Sequence, residues 1–255
     1  MKFLVVTDLH YSDKPTIKDN RYHSLSAKKL KKAFAEYSSD CEFTACLGDI
    51  VDAFDGYKSQ KILLTELNSV IEKQKMPFYA TFGNHDTAMD KNEFIALTKM
   101  PARYYSFENE EYLCLMLDTC MNSKDEPYPQ KEIAWADCYI DGEQLCWLKD
   151  KIENSKKRAV VFTHILLSSA DTDEVDHILN NANEVTDILL ANEEKIAAVF
   201  CGHYHFGMQK RIGNIPYFVF KSMCLGEKVT CATVEITDKK VKITGYGDEE
   251  SVCYE

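Results

Sequence analysis

Six apolar runs punctuate this chain, and five of them lead straight into a short cluster of aspartate, histidine, asparagine and glycine. The runs are Lys2 to Thr7, Glu42 to Leu47, Phe78 to Phe82, Tyr112 to Leu117, Ala159 to Thr163 and Ile196 to Cys201. Runs this short and this apolar read as strands buried on both faces. The clusters are Asp8-Leu9-His10, Gly48-Asp49-Ile50-Val51-Asp52, Gly83-Asn84-His85-Asp86, His164 and Gly202-His203-Tyr204-His205. Each falls where a strand ends, and open α/β sheets place their ligand crevices at the carboxyl ends of strands.

Between the runs the hydrophobic period changes from that of a buried strand to that of a helix. Leu30, Ala33, Phe34 and Tyr37 share a face, as do Leu63, Leu67, Val70 and Ile71. Asp90 is placed as the N-cap of a short helix carrying Phe94, Ile95 and Leu97. Further helices are expected from about Glu143, presenting Leu145, Leu148 and Ile152, and around Val185, Ile188 and Leu189. The last third reads as consecutive strands, Ile215 to Lys221, Val229 to Ile236 and Lys240 to Gly245, joined by short turns. Alternating strands and helices followed by strands point to one α/β domain over residues 1–255, built on a largely buried mixed sheet. Met121 to Gly142 and Ser168 to Asn183 lack periodicity and are candidates for the rim of a site.

The residue types in the clusters select a chemistry. Asp carboxylate, Asn carbonyl and neutral imidazole suit Mn, Fe, Zn or Co, and cysteine is missing from every cluster, which argues against a structural zinc site. In D-x-H and H-x-H, residues two apart in extended chain point the same way and can approach one ion or two neighbouring ions. Taken singly, each cluster has a blander reading as turn chemistry, an N-cap or a hydrogen-bonded core histidine. Their order and shared placement favour the metal reading. Of the seven histidines, only His23 and His177 fall outside the clusters, and both are expected on the surface.

Composition removes other classes. With 30 Lys and Arg against 41 Asp and Glu, the formal charge is −11, too acidic for a general grip on long nucleic acid. The ten cysteines include no C-x-x-C pair and several lie inside apolar runs, so reduced thiols are expected. No apolar run approaches the roughly 20 residues of a membrane span, and the N-terminal run Phe3-Leu4-Val5-Val6 is too short for a secretion signal. A cytoplasmic location is expected, with no membrane partner and homodimerisation left open.

The ordered pattern D-x-H, G-D-x-x-D, G-N-H-D, H, G-H-x-H from Asp8 to His205 resembles the calcineurin-like metallophosphoesterase superfamily. The size and the G-N-H-D form, with the helix segment Gln144 to Leu148, look like its bacterial group that includes cyclic-nucleotide phosphodiesterases. The resemblance implies an α/β/β/α sandwich of two mixed sheets flanked by helices, and a pair of divalent or mixed-valence ions. It assigns Asp8, His10 and His205 to the first ion and Asn84, His164 and His203 to the second, with Asp49 bridging. It places His85 beside the site as general acid or electrostatic partner, paired with Asp52, and leaves Asp86 a structural cap. The reaction implied is hydrolysis of a small phosphodiester by a hydroxide shared between the ions. A phosphomonoesterase acting on nucleotides or sugar phosphates, and a metal-binding scaffold without turnover, are the competing readings.

Departures from the family pattern narrow the substrate. Protein phosphatases of the superfamily follow the second motif with Arg-Gly, where this chain has Ala53 and Phe54, and they carry Glu where it has Asp86. Many bacterial phosphodiesterases place a second His directly after the fourth-motif His; here the segment reads His164-Ile165-Leu166-Leu167. Substrate-wall candidates are Tyr11, Arg21, Tyr57, Tyr128, Trp135 and Tyr139, with base stacking one role for the aromatics.

Overall fold

The computed structural model describes residues 1–14, 19–52, 58–129, 137–168 and 178–255. Among the described residues, twelve strands form two mixed six-stranded sheets. The first has the order β12-β11-β10-β1-β2-β3 and the second β4-β5-β6-β7-β9-β8. The first joins β1 (Lys2–Val6), β2 (Phe43–Cys46) and β3 (Phe78–Ala80) in parallel, then adds β10 (Cys231–Ile236), β11 (Val241–Tyr246) and β12 (Val252–Tyr254) antiparallel. In the second, β5 (Tyr112–Met116), β6 (Arg158–Phe162), β7 (Ile196–Cys201) and β9 (Ile215–Val219) run parallel. β4 (Tyr105–Glu108) and β8 (Met208–Ile212) close its edges antiparallel.

The sheets meet through aromatic side chains. Phe3 on β1 stacks on Phe43 of β2 at 4.8 Å and meets Phe162 and Phe200 of the opposite sheet edge-on at 5.5 and 5.7 Å. Phe43 also meets Phe107 of β4 at 5.0 Å. Such pairs contribute about 0.5–1.5 kcal/mol each beyond the area they bury. Helices cover the outer faces. α1 (Ser26–Tyr37) buries Leu30, Ala33 and Phe34, and Phe34 packs on Phe78 of β3. α2 (Gln60–Ile71) and α3 (Lys91–Thr98) follow, and the Asp90 carboxylate caps α3 by accepting from Glu93 N at 3.0 Å. α4 (Gly142–Asn154) and α5 (Ala182–Leu190) pack against each other. Gln144 at the start of α4 pairs with both backbone groups of Asp118, fixing the loop after β5. The expected sandwich of two mixed sheets flanked by helices is thus the fold observed.

None of the ten cysteines is joined in a disulfide. No helix among the described residues is long and apolar enough to cross a membrane. Three strands lie where periodicity gave no expectation, β4, β8 and β12, and each is the outermost strand of its sheet at that edge. The candidates Tyr57, Trp135 and His177 lie outside the described residues.

Candidate metal centre

The carboxyl ends of β1, β2 and β3 in one sheet and of β6 and β7 in the other meet, and the five sequence clusters meet with them. Backbone bonds hold the first two loops together: Asp8 N donates to Gly48 O at 3.1 Å and His10 N to Asp49 O at 2.8 Å. The convergence does not come from strand alternation, as the two-residue spacing suggests. Asp8, His10, Asp49 and His203 all adopt left-handed backbone, with φ of 50°, 41°, 50° and 68°. For residues with a Cβ this costs roughly 1–2 kcal/mol each, strain of the kind that gathers at functional sites. Gly48 has φ 91°. Gly83 lies so close to the second loop that a Cβ there would stand 2.0 Å from Asp49 N.

The side chains form two groups sharing Asp49. In the first, His10 Nε2 lies 3.1 Å from His205 Nε2, 3.3 Å from Asp49 Oδ2 and 3.7 Å from Asp8 Oδ1, and His205 Nε2 lies 3.2 Å from Asp8 Oδ1. In the second, His164 Nε2 lies 3.4 Å from Asp49 Oδ2 and 3.0 Å from Asn84 Oδ1. The His203 ring stands 5.0 Å from that of His164, and Asp49, His164 and His203 present donor atoms within 4.8 Å of one another. Every residue assigned to an ion by the resemblance therefore reaches one locus.

Electrostatics favours cations there. Asp8 Oδ1 is buried without a hydrogen-bond partner, a costly arrangement that an ion beside the carboxylate relieves. Burial alone would raise the Asp8 carboxyl, but contacts with His10 and His205 hold it well below the usual range. Asp49 is likewise held low against its burial by the charges of His164, His85 and His10. Burial opposes a charge on His164, yet Asp49 and the Leu47 carbonyl raise its pKa to about 9. His10 is raised as well, by Asp49 and Asp52, against the same desolvation. Each extra proton occupies a place that a divalent ion can take. His164 Nδ1 donates to Leu47 O at 2.6 Å, the backbone anchor that typically aims the other imidazole nitrogen at a metal.

Beside this locus stands a carboxylate with three imidazoles. Asp52 Oδ1 lies 2.8 Å from His85 Nδ1 and 3.6 Å from His10 Nδ1, and its Oδ2 lies 3.1 Å from His23 Nδ1. Burial would raise Asp52, but its contacts with His10, His23 and His85 hold it far below the carboxylate range. His23 was expected on the surface; the structure buries it under the Asp52 side chain, because the single-turn helix His23–Leu25 leads α1 past the site. No motif flags His23. Its only sequence signal is its place just before a helix that follows the first cluster. Asp86 is the structural group it was taken for, accepting from Ile50 N, Val51 N and Gly83 N at 3.0, 3.3 and 2.9 Å. Enclosure and the nearby Asp49 charge lift it to about 7.

A segment from the C-terminal portion closes the first group from behind. Ser222 Oγ and Cys224 N both donate to Asp8 O, at 2.9 and 3.1 Å. The buried Lys29 ammonium holds that segment by four carbonyls, Met223, Cys224, Leu225 and Gly226, at 2.8, 3.5, 3.2 and 2.6 Å. In front, a cleft of about 330 Å³ opens from His10, Asp49, Asn84, His85, His203 and His205 towards Arg21, Tyr204, Phe206 and Leu225. Of the described substrate-wall candidates, Arg21 alone lines it. Tyr11 instead turns its hydroxyl to Glu66 and Tyr128 donates to the Asp137 carbonyl. Tyr139 is also absent from the lining.

Two mixed sheets carrying a carboxylate-bridged double cluster of oxygen and imidazole donors define the class of metal-dependent phosphoester hydrolases. The chain belongs to the calcineurin-like phosphoesterase family, whose model matches residues 1–207. Its fold is similar to that of a dimetal phosphatase from Danio rerio, with a TM-score of 0.85 at 15% identity, covering 99% of this chain and 98% of that one. It also resembles the purple acid phosphatase PPD1 of yellow lupin seeds, with a TM-score of 0.66 at 8% identity, covering 96% of this chain and 51% of that one. In sequence it is similar to the human manganese-dependent ADP-ribose/CDP-alcohol diphosphatase, 19% identical over 268 residues, 80% of this chain and 77% of the relative.

Proposed function

We propose that this protein is a dinuclear phosphodiesterase acting on small phosphodiesters, including diphosphate-bridged nucleotide esters of the kind named for its human relative. Asp8, His10, Asp49 and His205 hold one ion, and Asp49, Asn84, His164 and His203 the other. The observation that carries this is Asp49 Oδ2, 3.3 Å from His10 Nε2 and 3.4 Å from His164 Nε2, one oxygen serving both groups. When bound, two such ions supply positive charge for the phosphoryl oxygens and a water activated near neutral pH.

The chain's own residues do the rest. Asp52 accepts His85 Nδ1–H and so leaves Nε2 to carry a proton to the departing oxygen. His23 fixes the other oxygen of Asp52. The strained loops after β1 and β2 keep the donors aimed in advance, so little reorganisation accompanies substrate binding. We read residues 1–255 as a single domain, since β1 at one end of the chain pairs with β10 near the other. Ten cysteines without a disulfide among them favour a reducing, cytoplasmic setting.

The test compares bis(p-nitrophenyl) phosphate with p-nitrophenyl phosphate on Mn²⁺-loaded protein, with a chelated control, followed by ADP-ribose and a CDP-alcohol. Chelator-sensitive preference for diesters is the expected result. Preference for the monoester would replace this reading with a phosphomonoesterase, and no turnover by metal-loaded protein would leave a scaffold.

A further inference from the structure

Phe206 is the most exposed large apolar side chain among the described residues, at 68% against 48% for Ile62 and 41% for Leu190. A single exposed apolar residue is ordinary on a protein surface. Phe206 differs in its place, next in sequence to His205 and on the wall of the cleft that the metal centre opens into. A tight turn holds it there. Gly207 N donates to Tyr204 O at 3.0 Å, and Gly207 has φ 74° in contact range of the Lys221 side chain. His205 and Phe206 are therefore the two central residues of one turn. The first lies beside Asp8, and the second presents a ring to solvent. Tyr204 packs edge-on against that ring at 5.7 Å, steadying it without covering its face.

The same cleft carries one cation. Arg21 is tied into the wall through its backbone pairing with Leu225. No carboxylate forms an ion pair with its guanidinium among the described residues, and its charge reaches His205. An open aromatic face, an arginine that forms no ion pair among the described residues, the Asp19 carboxylate and a metal centre thus share one cleft of about 330 Å³. That volume lies at the small end of the roughly 300–1,000 Å³ of ligand pockets.

We infer that Phe206 and Arg21 form a nucleotide subsite, Phe206 stacking on a nucleobase while Arg21 neutralises the phosphate not held at the metal centre. The inference rests on the diesterase reading above and narrows its substrate class to esters of nucleoside diphosphates. A flat ring face suits every base and discriminates little among them, so the subsite selects for the presence of a base and of a second phosphate, not for base identity.

The experiment uses full-length Mn²⁺-loaded protein and two ratios of kcat/KM. The first sets ADP-ribose against its base-free analogue, the methyl ester of ribose 5-diphosphate; the second sets ADP-ribose against bis(p-nitrophenyl) phosphate. Phe206→Ala is expected to lower the first ratio about tenfold, mainly through KM, with Phe206→Trp keeping it. Arg21→Gln is expected to lower the second about tenfold. A binding readout stands apart from turnover: the added Trp fluorescence of Phe206→Trp, with wild type subtracted, is quenched by AMP and not by ribose 5-phosphate. Unchanged ratios, or equal quenching by both ligands, would overturn the subsite. If wild type hydrolyses neither bis(p-nitrophenyl) phosphate nor any diphosphate ester, the diesterase reading fails, and the quenching experiment still decides the subsite.

Discussion

Asp52→Asn isolates the proton-handling half of the site from the ion-holding half. The change keeps shape and removes a charge and one acceptor. At present Asp52 accepts from His85 Nδ1 at 2.8 Å and His23 Nδ1 at 3.1 Å, two charge-assisted bonds worth about 1.5–3 kcal/mol each. An asparagine accepts with one oxygen, in a neutral bond worth about 0.5–1.5 kcal/mol, and turns its NH2 towards the other donor. The retained bond weakens by about 1 kcal/mol, and the lost bond with its facing donors adds about 2–3. If the full 3–4 kcal/mol falls on the transition state, kcat drops by about 10²–10³. The assay measures kcat on the p-nitrophenyl and phenyl esters of thymidine 5′-monophosphate, with metal content determined on the same samples. The phenyl ester has the poorer leaving group and depends more on proton donation, so its loss should be the larger. Equal losses on both esters, a loss under threefold, or a loss tracking depleted metal would refute the proton-handling role of the Asp52–His85 pair.

Other expectations come from neighbouring parts of the structure. His23→Leu removes the second contact on Asp52 and should lower kcat about tenfold with metal content unchanged; a fall in metal content instead would make His23 part of the ion-holding framework. Gly83→Ala, whose Cβ would stand 2.0 Å from Asp49 N, should abolish tight metal binding, as read by titration; near-normal affinity would mean the two loops are not in contact. His164, with pKa about 9, carries a proton at pH 7 that an ion must displace. Metal affinity should accordingly rise with pH up to about 9, with proton release seen as buffer-dependent binding enthalpy; pH-independent affinity would contradict the assignment of His164. Lys29→Met deletes two short ammonium–carbonyl bonds, at 2.8 and 2.6 Å, worth together about 3 kcal/mol. That should lower Tm by about 6–12 °C, and a shift under 2 °C would show that the segment it holds is self-supporting.

The central strands were legible because burial on both faces forces unbroken apolar runs, such as Ala159 to Thr163 and Ile196 to Cys201. The three strands without a sequence signal sit at sheet edges, where one neighbour and partial exposure permit polar residues. β8, Met208–Ile212, alternates exposed Gln209 and Arg211 with less exposed neighbours and carries no buried run until Ile212. The motif residues were legible because the ion-binding chemistry proposed for them restricts residue type. Their geometry was not, since left-handed backbone at Asp8 and His10 leaves no mark in the letters D-L-H. His23 was hidden for a related reason: a residue that acts by touching Asp52 needs only the right place in space, and α1 delivers it there by packing. Tyr204 and Phe206 lie within and beside the last motif, whose pattern G-H-x-H constrains neither position.

Donors from the first sheet are Asp8, His10, Asp49 and Asn84, and those from the second are His164, His203 and His205. In the proposed dinuclear site the two ions would straddle the seam between the sheets and act as a gauge of their alignment. A volume-conserving substitution at Phe3 or Phe162, on that seam yet outside the clusters, would slide one sheet against the other by a fraction of an ångström at modest cost in stability. Ion coordination tolerates far less displacement than aromatic packing does. Such conservative core changes should consequently surface first in a metal titration, before any melting curve records them.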